Sequence, residues 1–368
     1  MKTQPTPTKP KLPPVPLAHF VNRLREQFNK ARRKMVPPPV VMFEMVSGMW
    51  LSQAIGVAAE LGIADVIGDK TVDYKDIAPK VGASPEPLYR LMRALTIVDI
   101  FKEVSYGHFK LTVLGRTLRS DVPDTVRAMA IFQSKYQFAH WGELMSAVKT
   151  GDPTVAHVRG KSFFEFMAAT PDAQAQFDIF MTTVSTIETA SVLAVYDFSK
   201  FNVIADVGGG HGSFLAAILE KIPTTTKGIL FDQPQVVQGA YQHFSSPALK
   251  DRCQIVAGDF FASVPDGADA YVMKHIIHDW EESRCIQILK NIRKQIPQNG
   301  KLILIETVVP APGVPHFSKL LDIEMLVAVG GKERTEAQYA ELFTKCGFKL
   351  EKVTPTVSMA SIIEGIRV

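Results

Sequence analysis

Two histidines three positions apart are the first residues in this sequence that could do chemistry. They lie in the stretch AYVMKHIIHDWEE, residues 270–282, as His275 and His278, and Asp279 follows directly. An imidazole with an ordinary pKa of about 6.5 can accept a proton from a hydroxyl, and its nitrogens can also bind a metal. We expect no metal, because no nearby carboxylate completes a recognisable ligand set. A purely structural alternative has His278 capping the following helix. We expect His275 to be a packing or pocket residue at a strand end and not a second base.

A glycine-rich loop forms a second candidate site. The stretch VIADVGGGHGSF places Asp206, Gly208, Gly210 and Gly212 between an apolar strand and an amphipathic helix. Glycines at such a junction let the backbone turn tightly and approach a ligand closely. The loop therefore predicts a nucleotide-type ligand, although the glycine spacing alone does not distinguish a dinucleotide from S-adenosylmethionine.

Acidic residues after the next two strands narrow the choice of ligand. Asp232 ends the second strand, where an acid can accept both hydroxyls of a ribose, and Asp259 ends the third, with Phe260 placed against an adenine ring. Asp206 within the loop would repel a pyrophosphate, but it suits the ammonium group of a methionine. These acids favour S-adenosylmethionine, with S-adenosylhomocysteine as the product.

The elements that must position these residues form an α/β domain over residues 201–368. From Asn202 onward, apolar strands alternate with amphipathic helices, as in NVIADV followed by GSFLAAILEKI and KGILFD followed by PQVVQGAYQHF. This alternation predicts a Rossmann-like, mostly parallel seven-stranded sheet covered on both faces. Ligands of such sheets bind outside the carboxyl ends of the strands.

The chain before this domain divides into three predicted segments. Residues 1–36 form a basic, proline-rich arm that we expect to be partly disordered, with a short amphipathic helix in FVNRLREQFNKARRK. Residues 37–120 resemble a winged helix, with a hairpin in FKEVSYGHFKLTV that turns at Gly107. Its nearly uncharged stretch MFEMVSGMWLSQAIGVAAELGI predicts a homodimer. Residues 121–200 read as a helical linker contributing to an acceptor pocket.

Composition and charge limit the partners. The net charge is +4, but residues 1–36 hold nine Lys or Arg against one acid, Glu26, so the rest of the chain is slightly acidic. That balance argues against nucleic-acid binding, and we find no apolar run that spans a bilayer. Binding of the basic arm to an anionic membrane surface stays a minor alternative. The three cysteines predict reduced thiols and a cytoplasmic location.

Taken together, the motifs DVGGGHG, FDQPQVV, GDFF, MKHIIHDW, LILIETVVP and GGKERT resemble those of the plant-type small-molecule O-methyltransferases, in the same order and spacing. That family includes caffeic acid and acetylserotonin O-methyltransferases and bacterial natural-product relatives. The resemblance covers about residues 37–368. It implies a class I methyltransferase fold after a winged-helix dimerisation domain, and S-adenosylmethionine-dependent methylation of a hydroxyl, in secondary metabolism, on a small acceptor.

The resemblance also assigns roles to residues. His278, in the HDW triplet, corresponds to the general base, which takes the acceptor's proton during an in-line displacement, and Glu306 and Glu333 correspond to its flanking glutamates. The cofactor contacts that the resemblance implies are Gly208, Asp232, Asp259, Phe260 and Lys274. The glycine loop discussed above adds Asp206 and Gly210 to the expected contacts. The expected acceptor contacts are Phe177, Met181, Asp279 and Met325.

One departure from the family pattern bears on the acceptor. Plant members commonly have Asn-Pro before the glycines of GGKERT, and this chain has Val327-Ala328-Val329 there. The residues therefore predict no acceptor beyond a hydroxyl, and the resemblance implies that this hydroxyl is phenolic. Two other functions stay open from the residues alone: an NAD(P)-dependent oxidoreductase, and a winged-helix regulator with a cofactor-sensing domain.

Overall fold

The chain folds as two units in the computed structural model, which describes residues 12–368 apart from the side chain of His19. The first unit is built mainly from residues 23–145 and 156–184. The second is built mainly from residues 146–155 and 185–368. The predicted segment 121–200 is thus divided between both units, and residues 1–11 of the predicted arm lie outside the described residues.

Helices dominate the described part of the chain before residue 200, with short stretches of 3-10 or π geometry between some of them. Their bounds are α1 Val15–Lys34, α2 Pro38–Val46, α3 Gly48–Glu60, α4 Ile63–Ile67, α5 Tyr74–Ile77, α6 Pro85–Ala94, α7 Val113–Arg116, α8 Arg127–Phe132, α9 Phe138–Gly142, α10 Leu144–Thr150, α11 Thr154–Arg159, α12 Phe163–Ala169 and α13 Pro171–Val195. Helix α1 contains the amphipathic stretch predicted in the arm.

A small antiparallel sheet completes the winged-helix shape. Its strands are β1 Val72–Asp73, β2 Phe101–Ser105 and β3 His108–Leu111, in the order β1-β3-β2. The hairpin between β2 and β3 turns at Gly107, whose φ of 76° is left-handed, as the sequence predicts. Helix α6 packs its buried face, with Leu88 and Met92, into the core of this part of the chain.

The second unit is an α/β domain around one large sheet. Its strands are β4 Val203–Val207, β5 Lys227–Asp232, β6 Cys253–Ala257, β7 Ala270–Lys274, β8 Lys301–Val309, β9 Arg334–Thr335, β10 Phe348–Pro355 and β11 Ala360–Arg367. The helices are α14 Ser213–Lys221, α15 Pro234–Val237, α16 Glu282–Gln295, α17 Ser318–Ala328 and α18 Glu336–Lys345. Short 3-10 turns occupy Ala240–Gln242 and Ile277–Asp279.

The sheet has the mostly parallel order that the alternation predicts. The main path runs β10-β11-β8-β7-β4-β5-β6, and the short β9 pairs with β8 beside that path. The pairs among β4 to β8 are parallel, whereas β11 runs antiparallel to both β8 and β10. The predicted fold class is confirmed, with β9 added to the seven expected strands.

Both faces of the sheet are buried, which explains why its strands read as continuous apolar runs. Alternate residues of β4 enter different cores: Ala205 and Val207 pack on one side and Ile204 on the other. Met273 and Val272 of β7 divide in the same way. The helices therefore hold the strands from both sides, and the carboxyl ends of β4 to β8 meet at one edge.

Candidate active site

The predicted cofactor residues gather at the carboxyl edge of the sheet. Asp206 lies within β4, Asp232 and Lys274 are the last residues of β5 and β7, and Asp259 follows β6 after one residue. Because parallel strands end at the same edge, residues more than fifty positions apart in the chain become neighbours. The topology alone thus brings these four charged groups together.

Hydrogen bonds join the glycine loop to Asp232. The N–H of Gly210 donates to Oδ2 of Asp232 at 2.8 Å, and the N–H of Gln233 donates to Oδ1 at 2.7 Å. Gly210 has a left-handed φ of 61°, and open space surrounds the position that a Cβ would take. The backbone N–H of Gly208 is bonded to the carbonyl of Phe231. The loop is therefore held on β5 while its surface remains open to a ligand.

Asp206 is a buried carboxylate without a sufficient set of partners. Its side chain is 1% exposed, and Oδ2 has no hydrogen-bond partner in the described part of the chain. Burial raises the pKa of Asp206 to about 7, with Lys274 opposing the shift and Asp232 adding to it. A carboxylate that lacks a partner at the edge of a glycine loop fits the ammonium group of a methionine.

Asp259 and Phe260 present a carboxylate and an aromatic ring side by side. Asp259 is exposed, and its Oδ1 accepts the N–H of Phe261 at 2.8 Å. The ring of Phe260 packs edge-on against Phe261 and Trp280, with centroids 4.7 and 6.2 Å apart. A Cβ on Gly208 would lie 3.6 Å from the Phe260 ring, so this ring borders the glycine loop. The position suits the adenine that the sequence predicts.

The predicted base and its two glutamates also meet, inside the protein. Nδ1 of His278 lies 2.9 Å from Oε1 of Glu333 and 3.7 Å from Oε2 of Glu306. Both glutamate side chains have no solvent exposure, and that of His278 is 11% exposed. These acids are therefore interior residues, and His278 does not cap α16, whose N-cap is Glu281.

The GGKER segment explains how Glu333 reaches His278. A Cβ on Gly331 would lie 1.8 Å from the carbonyl oxygen of His278, so only glycine fits there. The N–H of Lys332 donates to that same carbonyl at 2.9 Å, and buried Arg334 donates to the carbonyl of Ile277 at 3.1 Å. The segment is thus hydrogen-bonded to the backbone at Ile277 and His278, and it places the carboxylate of Glu333 beside the imidazole of His278.

Glu306 fixes the same turn from the other side. It lies on β8, and its Oε1 accepts the N–H groups of Ile276 at 3.0 Å and Ile277 at 2.8 Å. Its Oε2 has no hydrogen-bond partner among the residues that the structure describes and faces both histidines. One carboxylate therefore holds the backbone with one oxygen and offers the other to the imidazoles.

The electrostatics of this cluster favour bound protons. Burial alone would lower the pKa of His278, but Glu306, Asp279 and Glu333 outweigh it and raise that pKa to about 10. Burial raises the pKa of Asp279 to about 6, and burial also raises the pKa of Glu333. Several neighbouring carboxyl groups in the protein interior cannot all be ionised. The cluster therefore keeps bound protons at pH values above the ordinary pKa values of its side chains.

Glu188 is a functional candidate that the sequence analysis missed. It is buried on α13, and its Oε2 lies 2.6 Å from Nε2 of His275. Burial alone would raise the pKa of Glu188, but His275 outweighs it and lowers that pKa. The signal in the sequence was a single acid within the otherwise uncharged run IFMTTVSTIETASVLAVY. An unmatched acid in an apolar helix requires a buried partner.

His275 is more than a packing residue at a strand end. Its φ is 54°, a left-handed conformation that it shares with Asp99 alone among the described non-glycine residues. Its ring lies 5.1 Å from that of His278, and the planes are tilted by 34°. The reason given for expecting no metal is wrong, because Glu306 and the two histidines offer ligand atoms within 4.8 Å of one another.

The predicted acceptor contacts fall in different places. Phe177 packs in the first unit against Phe132 and Phe163, with ring centroids 5.3 and 5.5 Å away. Met181 is half-buried on the same helix, α13, and Met325 is half-buried on α17 in the second unit. Asp279 is the member of this set that lies beside the base, since its Oδ1 is 3.5 Å from Nε2 of His278.

Most of this chain matches two known protein domains. Residues 141–349 match the O-methyltransferase domain, and residues 43–121 match the O-methyltransferase dimerisation domain. The chain is 38% identical to phenazine O-methyltransferase of Lysobacter antibioticus, over 90% of this chain and 97% of that protein. The chain belongs to the O-methyltransferase family. It is thus an S-adenosylmethionine-dependent methyltransferase of secondary metabolism, which excludes the dinucleotide and regulator alternatives as its main function.

Two further relatives show how wide this family is. The chain is 32% identical to 8-amino-8-demethylriboflavin N,N-dimethyltransferase of Streptomyces davaonensis, over 83% of this chain and 89% of that protein. It superposes on the methyltransferase CalO1 of calicheamicin biosynthesis, solved with S-adenosylhomocysteine bound, with a TM-score of 0.79 and 32% identity, covering 90% and 98% of the two chains. Members of the family therefore methylate nitrogen as well as oxygen.

Two helical stretches of this methyltransferase reach the length and hydropathy of a bilayer span, by length and composition alone. They are Pro38–Glu60 and Pro171–Val195. The first overlaps the dimerisation domain, and the second lies wholly within the methyltransferase domain and carries buried Glu188. A helix in a protein core passes the same test of length and composition, so the two stretches are weak evidence of a membrane span.

Proposed function

We propose that this enzyme methylates a phenolic hydroxyl of a small aromatic acceptor, with His278 as the general base. The supporting observation is the imidazole of His278 on two fully buried glutamates, Glu306 and Glu333. A phenol, with a pKa near 10, must lose its proton as the new O–C bond forms, whereas an aromatic amine attacks through its own lone pair. Burial of two carboxylates beside the base costs stability, and a base is needed by a hydroxyl acceptor more than by an amine. The site therefore favours oxygen over nitrogen as the methyl acceptor.

The carboxyl edge of the sheet would hold the cofactor. Asp232 would accept hydrogen bonds from the ribose hydroxyls, and Asp206 would form an ion pair with the ammonium group. Asp259 would reach the adenine edge. The remaining proposed contacts, which line the same edge, are Gly208, Gly210, Phe260 and Lys274. When bound, S-adenosylmethionine supplies the methyl group to an oxygen aligned behind it. The protein's own contribution to the rate is then mainly alignment, which can contribute up to about 7–11 kcal/mol.

The protonation of His278 determines when it can act. A base must be free of its proton, and the pKa of about 10 means that the resting imidazole carries one. The positive sulfonium of the cofactor would disfavour the imidazolium nearby and lower this pKa in the complex. We therefore propose that Nε2 of His278 accepts the acceptor's proton, while Glu333 holds Nδ1 and stabilises the resulting cation.

The acceptor that fits best is a hydroxylated fused-ring aromatic. Phenazine and riboflavin, in the names of two relatives, are flat fused-ring systems. Met325 would supply an apolar contact to such rings, and Asp279 a polar contact close to the base. The acceptor contacts expected of Phe177 and Met181, which belong to the first unit, stay predictions. The stretch Val327-Ala328-Val329 offers no side-chain amide for ring substituents. An acceptor recognised chiefly by its apolar faces follows from this set.

We propose a homodimeric, cytoplasmic enzyme. The dimerisation domain and the exposed apolar side chains of α2, such as Phe43 and Met45, support the dimer. Cys253, Cys285 and Cys346 are all free thiols, which supports a reducing compartment.

Matched acceptor pairs test the proposed reaction. The purified enzyme would be given hydroxyphenazines and hydroxynaphthalenes, each beside the amine with the same ring, and cofactor labelled in its methyl group. We expect label on the oxygen of the hydroxyl compound and at least tenfold slower labelling of the amine. Faster transfer to the amines in each pair would overturn the assignment of oxygen as acceptor.

A further inference from the structure

His275 has one nitrogen occupied and one available. Its Nε2 lies 2.6 Å from Oε2 of Glu188, and both side chains are largely buried, with 12% and 5% exposure. Its Nδ1 is buried and has no hydrogen-bond partner in the part of the chain that the structure describes. A carboxylate on one ring nitrogen holds the proton there, so the lone pair of the other nitrogen is directed into the protein.

That lone pair converges with two other ligand atoms. Nδ1 of His275 and Nδ1 of His278 lie 3.8 and 3.7 Å from the same atom, Oε2 of Glu306. This oxygen is also buried without a hydrogen-bond partner among the described residues. The three atoms lie within 4.8 Å of one another. Bonds of about 2.0–2.2 Å to one ion would draw them together by small rotations of the side chains.

We propose that His275, His278 and Glu306 form a binding site for a divalent transition-metal ion, with zinc as the best fit. Two imidazole nitrogens and one carboxylate oxygen suit zinc, whereas magnesium and calcium prefer oxygen ligands alone. Glu188 acts as the outer carboxylate that orients His275, an arrangement common at metal-binding histidines. Four acidic side chains around the two rings, Glu188, Asp279, Glu306 and Glu333, also favour a dication.

Metal at this site inhibits methyl transfer, a consequence that depends on the proposed role of His278. Nδ1 of His278, now 2.9 Å from Glu333, would release its proton to solvent, leave Glu333 and bind the ion. A neutral imidazole bound to metal through Nδ1 carries its proton on Nε2. That nitrogen then cannot accept the acceptor's proton. The ion is therefore an inhibitor of this enzyme rather than a Lewis acid for it.

Cobalt provides a direct test of binding that does not depend on activity. The untagged, metal-free full-length protein would be titrated with Co²⁺, and the visible absorption of the bound ion recorded before displacement by Zn²⁺. We expect one ion per chain without the near-ultraviolet band of a cobalt–thiolate bond. Binding through cysteine, shown by that band, or no saturable absorption would overturn the site.

Two variants and a matched control locate the ion. Glu188→Gln should weaken cobalt binding by about 10–100-fold, the usual effect of losing an outer carboxylate, and His275→Gln should weaken it at least as much. His157→Gln is the control, because His157 is an exposed histidine 4.0 Å from Glu143. Cofactor affinity, measured on each protein, verifies that it is folded. Equal cobalt affinity in folded Glu188→Gln and in wild type would refute the assignment.

The inhibitory role is measured separately. Zinc should slow methyl transfer by wild type and by His157→Gln, and a chelator should restore the rate. His275→Gln should need at least tenfold more zinc for the same fractional loss. If cobalt binds as proposed but zinc leaves the rate of wild type unchanged, the metal site stands and the inhibition is wrong. A failure of the acceptor experiment leaves the cobalt result untouched.

Discussion

Nδ1 of His278 lies 2.9 Å from Oε1 of Glu333, although 55 positions separate the two residues in the chain. The pair is largely buried, and the carbonyl of the same histidine accepts the N–H of Lys332. The ring is therefore held in one orientation, with Nε2 as the nitrogen that remains for an acceptor hydroxyl.

Removal of the base should reduce turnover without affecting cofactor binding. His278→Ala should lower kcat by about 10²–10⁴-fold, the usual contribution of a positioned general base. The defect should shrink as pH approaches the pKa of the acceptor, because a phenolate needs no base. Rates would be measured from pH 7 to 10 and cofactor affinity by calorimetry. Turnover by a variant with normal cofactor binding that stays within a few fold of wild type at pH 7 would exclude the role.

The charge of Glu333 should set the pH at which the base becomes active. The carboxylates raise the pKa of His278, so Glu333→Gln should lower it while leaving a hydrogen-bond acceptor in place. The rise of kcat/KM with pH should therefore move to lower pH in this variant. The pH–rate profiles of the two proteins, recorded with one acceptor, measure the shift. A profile that moves to higher pH contradicts this account of the cluster.

The buried, ionised carboxylate of Asp206 should lower the free energy of unfolding of the cofactor-free protein. Its folded pKa of about 7 lies above the ordinary 3.8, so stability falls as pH rises between those values. The shift corresponds to about 4 kcal/mol above pH 7, at about 1.4 kcal/mol per pKa unit. Asp206→Asn removes this cost but buries an amide at about 1–3 kcal/mol, so it should stabilise by about 1–3 kcal/mol.

Urea unfolding of both proteins checks this expectation. The gain from Asp206→Asn should be present at pH 8 and disappear below about pH 4, where the carboxyl is neutral in both states. The same variant should bind the cofactor less tightly. A loss of stability at pH 8 in the absence of cofactor would show that Asp206 is stabilised by its neighbours.

Asp232 should contribute directly to cofactor affinity. Asp232→Ala removes a charge-assisted acceptor and also releases the N–H of Gly210, so cofactor binding should weaken by about 1.5–3 kcal/mol. Calorimetry with S-adenosylhomocysteine measures the change. Asp251→Ala, an exposed acid on the loop before β6, serves as the control and should bind as wild type does. Unchanged affinity in Asp232→Ala would remove this residue from the cofactor site.

The exposed face of α2 should hold the dimer together. Phe43 is 66% exposed in the single chain and stacks edge-on with Trp50, which is 63% exposed. Light scattering should give twice the chain mass of 40.6 kDa for wild type. Phe43→Glu would place a charge in this apolar face and should give the monomer mass. A wild-type protein that is monomeric at micromolar concentration contradicts the dimer.

The sequence by itself determined the local structure and the family. Apolar runs of strand length, amphipathic helices and the glycines between them predict the order of elements, because each depends on residues close together in the chain. The motifs DVGGGHG, HDW and GGKER carry the family assignment in the same way. His278 and Glu333 could be named from HDW and GGKER, and Glu306 from LILIETVVP, before any distance between them was known.

Only the tertiary structure decided the environment of those residues. Burial of Glu306 and Glu333, and with it the raised pKa of His278, arises from elements distant in sequence that exclude water together. The sequence did not reveal that Glu188 pairs with His275, because the two residues are 87 positions apart. Ionisation and metal affinity depend on distances of a few ångströms through space, and no spacing along the chain encodes these distances.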